Sequence, residues 1–145
     1  MPGGSGCAFC AIAAGGERET VVFEDERTVA FLDNRPLFPG HCLLIPKAHC
    51  ETLEDLPEDL AGPLFRNTRL LAMALERAQA AEGSFVAINN RVSQSVPHLH
   101  IHVVPRRRKD GLRGFFWPRR KYGSPAEMEQ VRDNLREAVA RLLRE

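Results

Sequence analysis

The chain has 145 residues, 43% hydrophobic and 27% charged, with a formal net charge of +1, the profile of one globular domain large enough for a sound core. No apolar run reaches the roughly 20 residues of a membrane span, and the opening "MPGGSGCAFC" has neither the basic nor the apolar section of a secretory leader, so a cytoplasmic setting without a membrane partner is expected. The near-neutral total conceals one cationic stretch: residues 106–121 carry eight Lys/Arg against one Asp, a local +7 that leaves −6 elsewhere, which argues against a generally basic nucleic-acid binder.

In chain order, residues 1–6 are Gly-rich and expected to be flexible, and "CAFCAIAAG" predicts a short helix around a CxxC. "TVVFED" (20–25) and "TVAFLD" (28–33) read as strands joined by a turn at Glu26 and Arg27. "RPLFPG" is a Pro/Gly loop, and "HCLLIPK" (41–47) is a third strand. Residues 57–81 predict a helix with Leu60, Leu64, Leu71, Leu75 and Ala78 on one stripe and Pro63 near its start. "SFVAINN" (84–90) is a fourth strand and "VPHLHIHVVP" (96–105) a fifth, closed by Pro105. A basic and aromatic loop follows over 106–123. A last helix over 125–144 starts from Ser124 as N-cap, Pro125 and Glu127. Its apolar stripe of Met128, Val131, Leu135, Val139 and Leu142 is expected to be core. The short connections predict one α+β domain over 1–145, an antiparallel meander with helices to one side.

Three of the five histidines fall within five positions of the fifth strand. Side chains at i, i+2 and i+4 share a face of a strand, so His98, His100 and His102 line one side at spacings of about 6–7 Å, while Leu99, Ile101 and Val103 face a core. A half-solvated, His-rich strand is the plainer alternative, but the clustering favours chemistry. Imidazole is a neutral nucleophile near pH 7 once one ring nitrogen has donated its proton to an acceptor and the other presents its lone pair. The CxxC of Cys7 and Cys10 suits metal ligation or redox chemistry, and Cys42 and Cys50 read as buried or free thiols.

"HLHIHVVP" resembles the signature of the histidine triad (HIT) family, His-φ-His-φ-His-φ-φ with φ apolar. "FLDNRPLFPGHCLLIPKAH" (31–49), "FVAINN" with "SQSV", and "CAFCAI" are similar to further segments of that family, in family order from Cys7 to about Pro105. The resemblance implies a HIT-like fold, an antiparallel sheet of about five strands with a central and a C-terminal helix, usually as a homodimer with sheets joined edge to edge. It implies a nucleotidyl hydrolase or transferase acting on purine nucleoside 5′-phosphate derivatives, phosphoramidates or dinucleoside polyphosphates, through a nucleotidyl-histidine intermediate. His100 would be the nucleophile, with His102 and His41 as further active-site histidines. Asp33 would accept the ribose hydroxyls, and Asn89, Gln94 and Ser95 would contact ribose or phosphate. Bacterial members also imply a structural zinc on Cys7, Cys10, His49 and His98, with no organic cofactor; a redox CxxC is the rival.

The chain departs from the pattern in two places. In the approach to the triad, "NNRVSQS", the run from Asn89 to Gln94 is two residues shorter than Asn-x-Gly-x-x-x-Gly-Gln and lacks both glycines, so its backbone has less freedom to crowd a phosphate. Pro97 stands where many members carry an aromatic residue. The stretch "RRRKDGLRGFFWPRRK", with Phe115, Phe116 and Trp117 among its cations, could clamp polyphosphate, bind single-stranded nucleic acid, or be a solvated loop. The alternative function is a nucleotide- or RNA-binding module that keeps the fold with little turnover.

Overall fold

A computed structural model describes residues 6–113 and 119–145. The flexible start expected over 1–6 lies almost wholly outside this range, as do Phe115, Phe116 and Trp117. The chain forms two compact units, Met1–Asp110 and Gly111–Glu145.

The first unit is a five-stranded antiparallel sheet in the order β1-β2-β3-β5-β4: β1 Val21–Glu24, β2 Thr28–Leu32, β3 Cys42–Pro46, β4 Gly83–Ala87 and β5 Ile101–Arg106. Two helices belong to it, α1 Ala8–Ala13 and α2 Glu58–Ala78. The period-2 alternation of the central strands explains why both sheet faces are apolar. Ala30, Leu44, Ile101 and Val103 join Leu64, Leu71 and Leu75 of α2 in one core. Val29, Phe31, Leu43 and Ile45 meet Phe9 and Ile12 of α1 in the other. With both sides covered, four of the five β2 residues and all of β3 are buried.

The β1–β2 turn is tied to α2 by buried polar groups. Asn67 donates its amide to Asp25 Oδ2 at 2.8 Å and to Thr28 Oγ1 at 2.9 Å. Burial raises the Asp25 carboxyl, but the donors on Asn67, Thr28 and Arg27 outweigh it and hold that group below the usual carboxylate range.

Two expectations about the histidine segment change. β5 begins only at Ile101, so His98 and His100 lie on the approach to the strand and His102 alone is in it. Pro105 does not close the strand, which runs on to Arg106. Pairing of β5 with β3 ends at Val103, so the missing N–H of Pro105 interrupts no ladder on that side.

The second unit holds α3, Pro125–Arg144, capped as expected by Ser124, whose hydroxyl accepts the Glu127 N–H at 3.1 Å. Its apolar stripe corrects the core assignment. No residue of α3 is buried, and Met128, Leu135, Val139 and Leu142 are all at least half exposed.

Candidate active site and metal centre

The CxxC and two histidines form one cluster. Cys7 is the N-cap of α1, and its Sγ accepts the Cys10 N–H at 3.3 Å, which turns both thiols to the same side. There they meet His49, just after β3, and His98. Cys7 Sγ is 3.4 Å and Cys10 Sγ 3.5 Å from His98 Nδ1, Cys10 Sγ is 3.2 Å from His49 Nδ1, and the two Nδ1 atoms are 3.2 Å apart. A tetrahedral ion with bonds of about 2.3 Å to sulfur and 2.0–2.1 Å to nitrogen separates S and N by about 3.5 Å, and N and N by about 3.4 Å. These separations therefore fit a single ion between the four donors. The donor chemistry fits as well. His98 is fully buried and donates Nε2–H to the Pro46 carbonyl at 2.8 Å, so its Nδ1 lone pair faces the sulfurs. Without an ion, burial and the neighbouring Cys7 push the Cys10 thiol up to about 11, a proton that a bound metal would displace.

Two residues along, His100 has the opposite tautomer. Its Nδ1 is 2.7 Å from the His98 carbonyl, which can only accept, so Nδ1 carries the proton and Nε2 keeps a lone pair. His100 lines a cavity of about 420 Å³ together with His102, Ser95 and Asp33. Apolar walls come from Ala8, Phe9, Ile12, Phe31, Leu32, Leu43 and Val96, and Glu17, Thr20, Asn34 and Arg35 complete the lining. Phe9 packs edge-on against both His98 and His100, with ring centroids 6.1 and 5.1 Å away, so α1 braces the two histidines at once.

His41 is buried where the Pro/Gly loop returns to the sheet. Asp33 N–H donates to the His41 carbonyl at 2.9 Å, closing the loop. Gly40 has φ +100°, and a Cβ there would come 2.8 Å from Gln79 Cγ, so the turn that presents His41 needs glycine. His41 Nε2 lies 3.0 Å from His102 Nδ1 and 3.6 Å from Asp33 Oδ2. Burial lowers the basicity of both rings, that of His41 against the pull of Asp33 and that of His102 to about 4, helped by the nearby His100 and His41. Asp33 serves as turn cap and cavity wall at once: its Oδ1 accepts the Arg35 N–H at 2.8 Å while the residue lines the cavity.

Two sequence candidates are placed elsewhere. The Gln94 carbonyl accepts the Arg91 N–H at 2.8 Å and its amide donates to the Glu51 carbonyl at 2.7 Å, so both ends are spent within loops. Neither Gln94 nor Asn89 is among the lining residues; Ser95 is. The loop without glycines still makes its turn, with Arg91 and Ser93 at φ +65° and +63°. Part of the cationic stretch is also accounted for. Arg106 is bound to Asp110, Arg108 to Glu82 and Arg107 to the Gln79 carbonyl. Arg106 pairs with Gly83 at the far end of β5, four residues beyond His102. The apolar lining from α1 is absent from the sequence candidates, although a metal shared by Cys7, Cys10 and His98 would have implied that α1 lies beside the triad.

The HIT domain model matches residues 15–109. An uncharacterized HIT-like protein of Mycobacterium tuberculosis is 35% identical over 141 residues, 96% of this chain and 91% of its own. An Arabidopsis thaliana protein named adenylylsulfatase HINT3 is 33% identical over 108 residues, 73% of this chain and 55% of its own. Among solved structures, a HIT family member from Bacillus subtilis superposes with a TM-score of 0.82 at 31% identity, covering 91% of this chain and 96% of that one. A zinc-bound histidine triad protein from Mycobacterium smegmatis superposes with a TM-score of 0.70 at 34% identity, covering 89% and 97%. The chain belongs to the HIT domain family, which includes nucleotide hydrolases such as that plant adenylylsulfatase.

Proposed function

We propose that this protein is a nucleotidyl hydrolase or transferase that cleaves nucleoside 5′-phosphate derivatives through a nucleotide bound covalently to His100. The observation that carries this reading is the His100 tautomer: Nδ1–H is held by the His98 carbonyl, which leaves the Nε2 lone pair free on a ring that lines the cavity. That lone pair forms a bond to the α-phosphorus while the bond from phosphorus to the leaving group breaks, the leaving group taking the electron pair and, where it is an amine, a proton from solvent. Water then attacks the phosphorus and gives up a proton to solvent, and the P–N pair returns to Nε2. Ser95 and His102 stand on the same wall to donate to the phosphoryl oxygens, where negative charge accumulates. The apolar walls suit a flat purine, and Asp33 suits the ribose hydroxyls. Asn89 and Gln94 are left without a part in this scheme.

Zinc is the ion proposed for the sulfur–imidazole cluster. It would be held by Cys7, Cys10, His49 and His98 and would pin α1 to the triad; with four protein ligands the site is closed, so its contribution is structural. The zinc-bound M. smegmatis relative supports this choice. The four free cysteines suit a reducing, cytoplasmic setting, and homodimerisation follows family habit.

The test is a panel of adenosine phosphoramidates, adenylyl sulfate and diadenosine polyphosphates, assayed for nucleoside monophosphate release. Release from at least one class is expected. Tight nucleotide binding with no release from any would establish the binding module instead.

A further inference from the structure

His41 borders the cavity histidines without being among its lining residues, and its two ring nitrogens are both engaged. The Leu37 N–H donates to His41 Nδ1 at 3.1 Å. An amide nitrogen can only donate, so Nδ1 is an acceptor, the ring is neutral, and its single proton sits on Nε2. That Nε2 is 3.0 Å from His102 Nδ1, which must therefore accept. A neutral His102 then carries its proton on Nε2.

We infer that His41 is a positioning residue that fixes the His102 tautomer, relaying a choice made by the Leu37 backbone amide. Each link is one hydrogen bond between ordered groups, His41 being 3% exposed. The result is a wall with one imidazole that presents a lone pair, His100, and one whose outer nitrogen presents N–H, His102. The two rings differ in their partners: a carbonyl fixes one, and an amide acting through His41 fixes the other. The same reasoning bears on Asp33, His41 and His102 as a second set of donor atoms close enough to share a metal ion. Both nitrogens of His41 are committed, one as acceptor from an amide and one as donor to His102, so this group is not a metal site.

The tautomer assignment stands on geometry alone, while its catalytic consequence rests on the proposed nucleotidyl transfer. The experiment is a long-range ¹H–¹⁵N spectrum of histidine-labelled protein together with kinetics of His41→Leu and His41→Gln. In the unaltered protein His102 should show an unprotonated Nδ1 and a protonated Nε2. His41→Leu should mix the two tautomers and lower kcat by about ten-fold or more with KM changed less than two-fold. His41→Gln places an amide N–H₂ near the lost Nε2–H and should recover the tautomer and most of kcat, which a purely space-filling role would not predict. A His102 protonated on Nδ1 in the unaltered protein overturns the inference, as does an unchanged tautomer in His41→Leu. If the tautomers are as stated but no substrate turns over, the functional reading falls and this one stands.

Discussion

His98 and His100 are two residues apart, both almost fully buried and both touched by Phe9. Their free nitrogens nevertheless differ. The Pro46 carbonyl accepts the Nε2–H of His98 and leaves Nδ1 for the sulfur pocket. The His98 carbonyl accepts the Nδ1–H of His100 and leaves its Nε2 lone pair free. The proposed metal ligand and the proposed nucleophile are the same side chain, distinguished by which nitrogen a backbone carbonyl occupies. Residue type alone does not separate them; the carbonyls do.

The largest expected effect separates the pair directly. His100→Ala should lower kcat by at least about a thousand-fold, because a nucleophile acts in the transition state, while metal content and nucleotide binding stay near normal. His98→Ala should do the reverse first: metal falls from about one ion per chain to well below one, and Tm drops by roughly 10 °C, corresponding to about 3 kcal/mol. Cys10→Ser should follow His98→Ala in both measurements. Activity of the intact protein should need no added metal.

Phe9→Ala is the variant that should strike both sides. The ring is 8% exposed and also stacks edge-on against Phe31, so its loss should cost about 3–5 kcal/mol in denaturant unfolding. It should also raise KM and loosen the metal. An effect on one site alone would separate the two histidines more completely than the shared packing implies.

Acid should distinguish the rings next. Burial holds His41 and His102 below their ordinary basicity, His102 at about 4. Between an unfolded value near 6.5 and that folded value the unfolded chain binds more protons, so stability falls as pH drops from about 6.5 to 4 and is fully present above. His102→Asn should flatten that part of a stability–pH profile; an unchanged slope would assign the acid sensitivity to other groups. The smallest effect is expected in the loop before the triad. Ser93→Gly relieves a left-handed residue at φ +63° and should stabilise by about 0.5–1 kcal/mol, with kcat and metal unaltered.

The sheet was legible because β2 and β3 are short, continuous apolar runs and turn residues bracket each strand. That Cys7, Cys10, His49 and His98 come together was legible because CxxC and the first triad histidine follow a known family spacing. α3 was misread for a physical reason: helical periodicity says that Met128, Leu135 and Leu142 share a side, not what covers that side, and α2 carries the same signal yet is buried. The partners of Gln94 were not legible, because the shortened loop spends its side-chain amide on Arg91 and Glu51, the latter a long-range contact that local pattern does not encode. The relay from Leu37 was invisible for the same reason, since it joins residues 61 positions apart in sequence through His41 and His102.

The central claim is the covalent bond to His100. Protein mixed with a nucleoside phosphoramidate that it turns over, quenched at high pH to preserve a phosphoramidate linkage and analysed by intact and peptide mass spectrometry, should carry one nucleotidyl group, localised to His100. Turnover that continues without any modification of His100, or a nucleotidyl group found on His102 or another residue, would contradict the account.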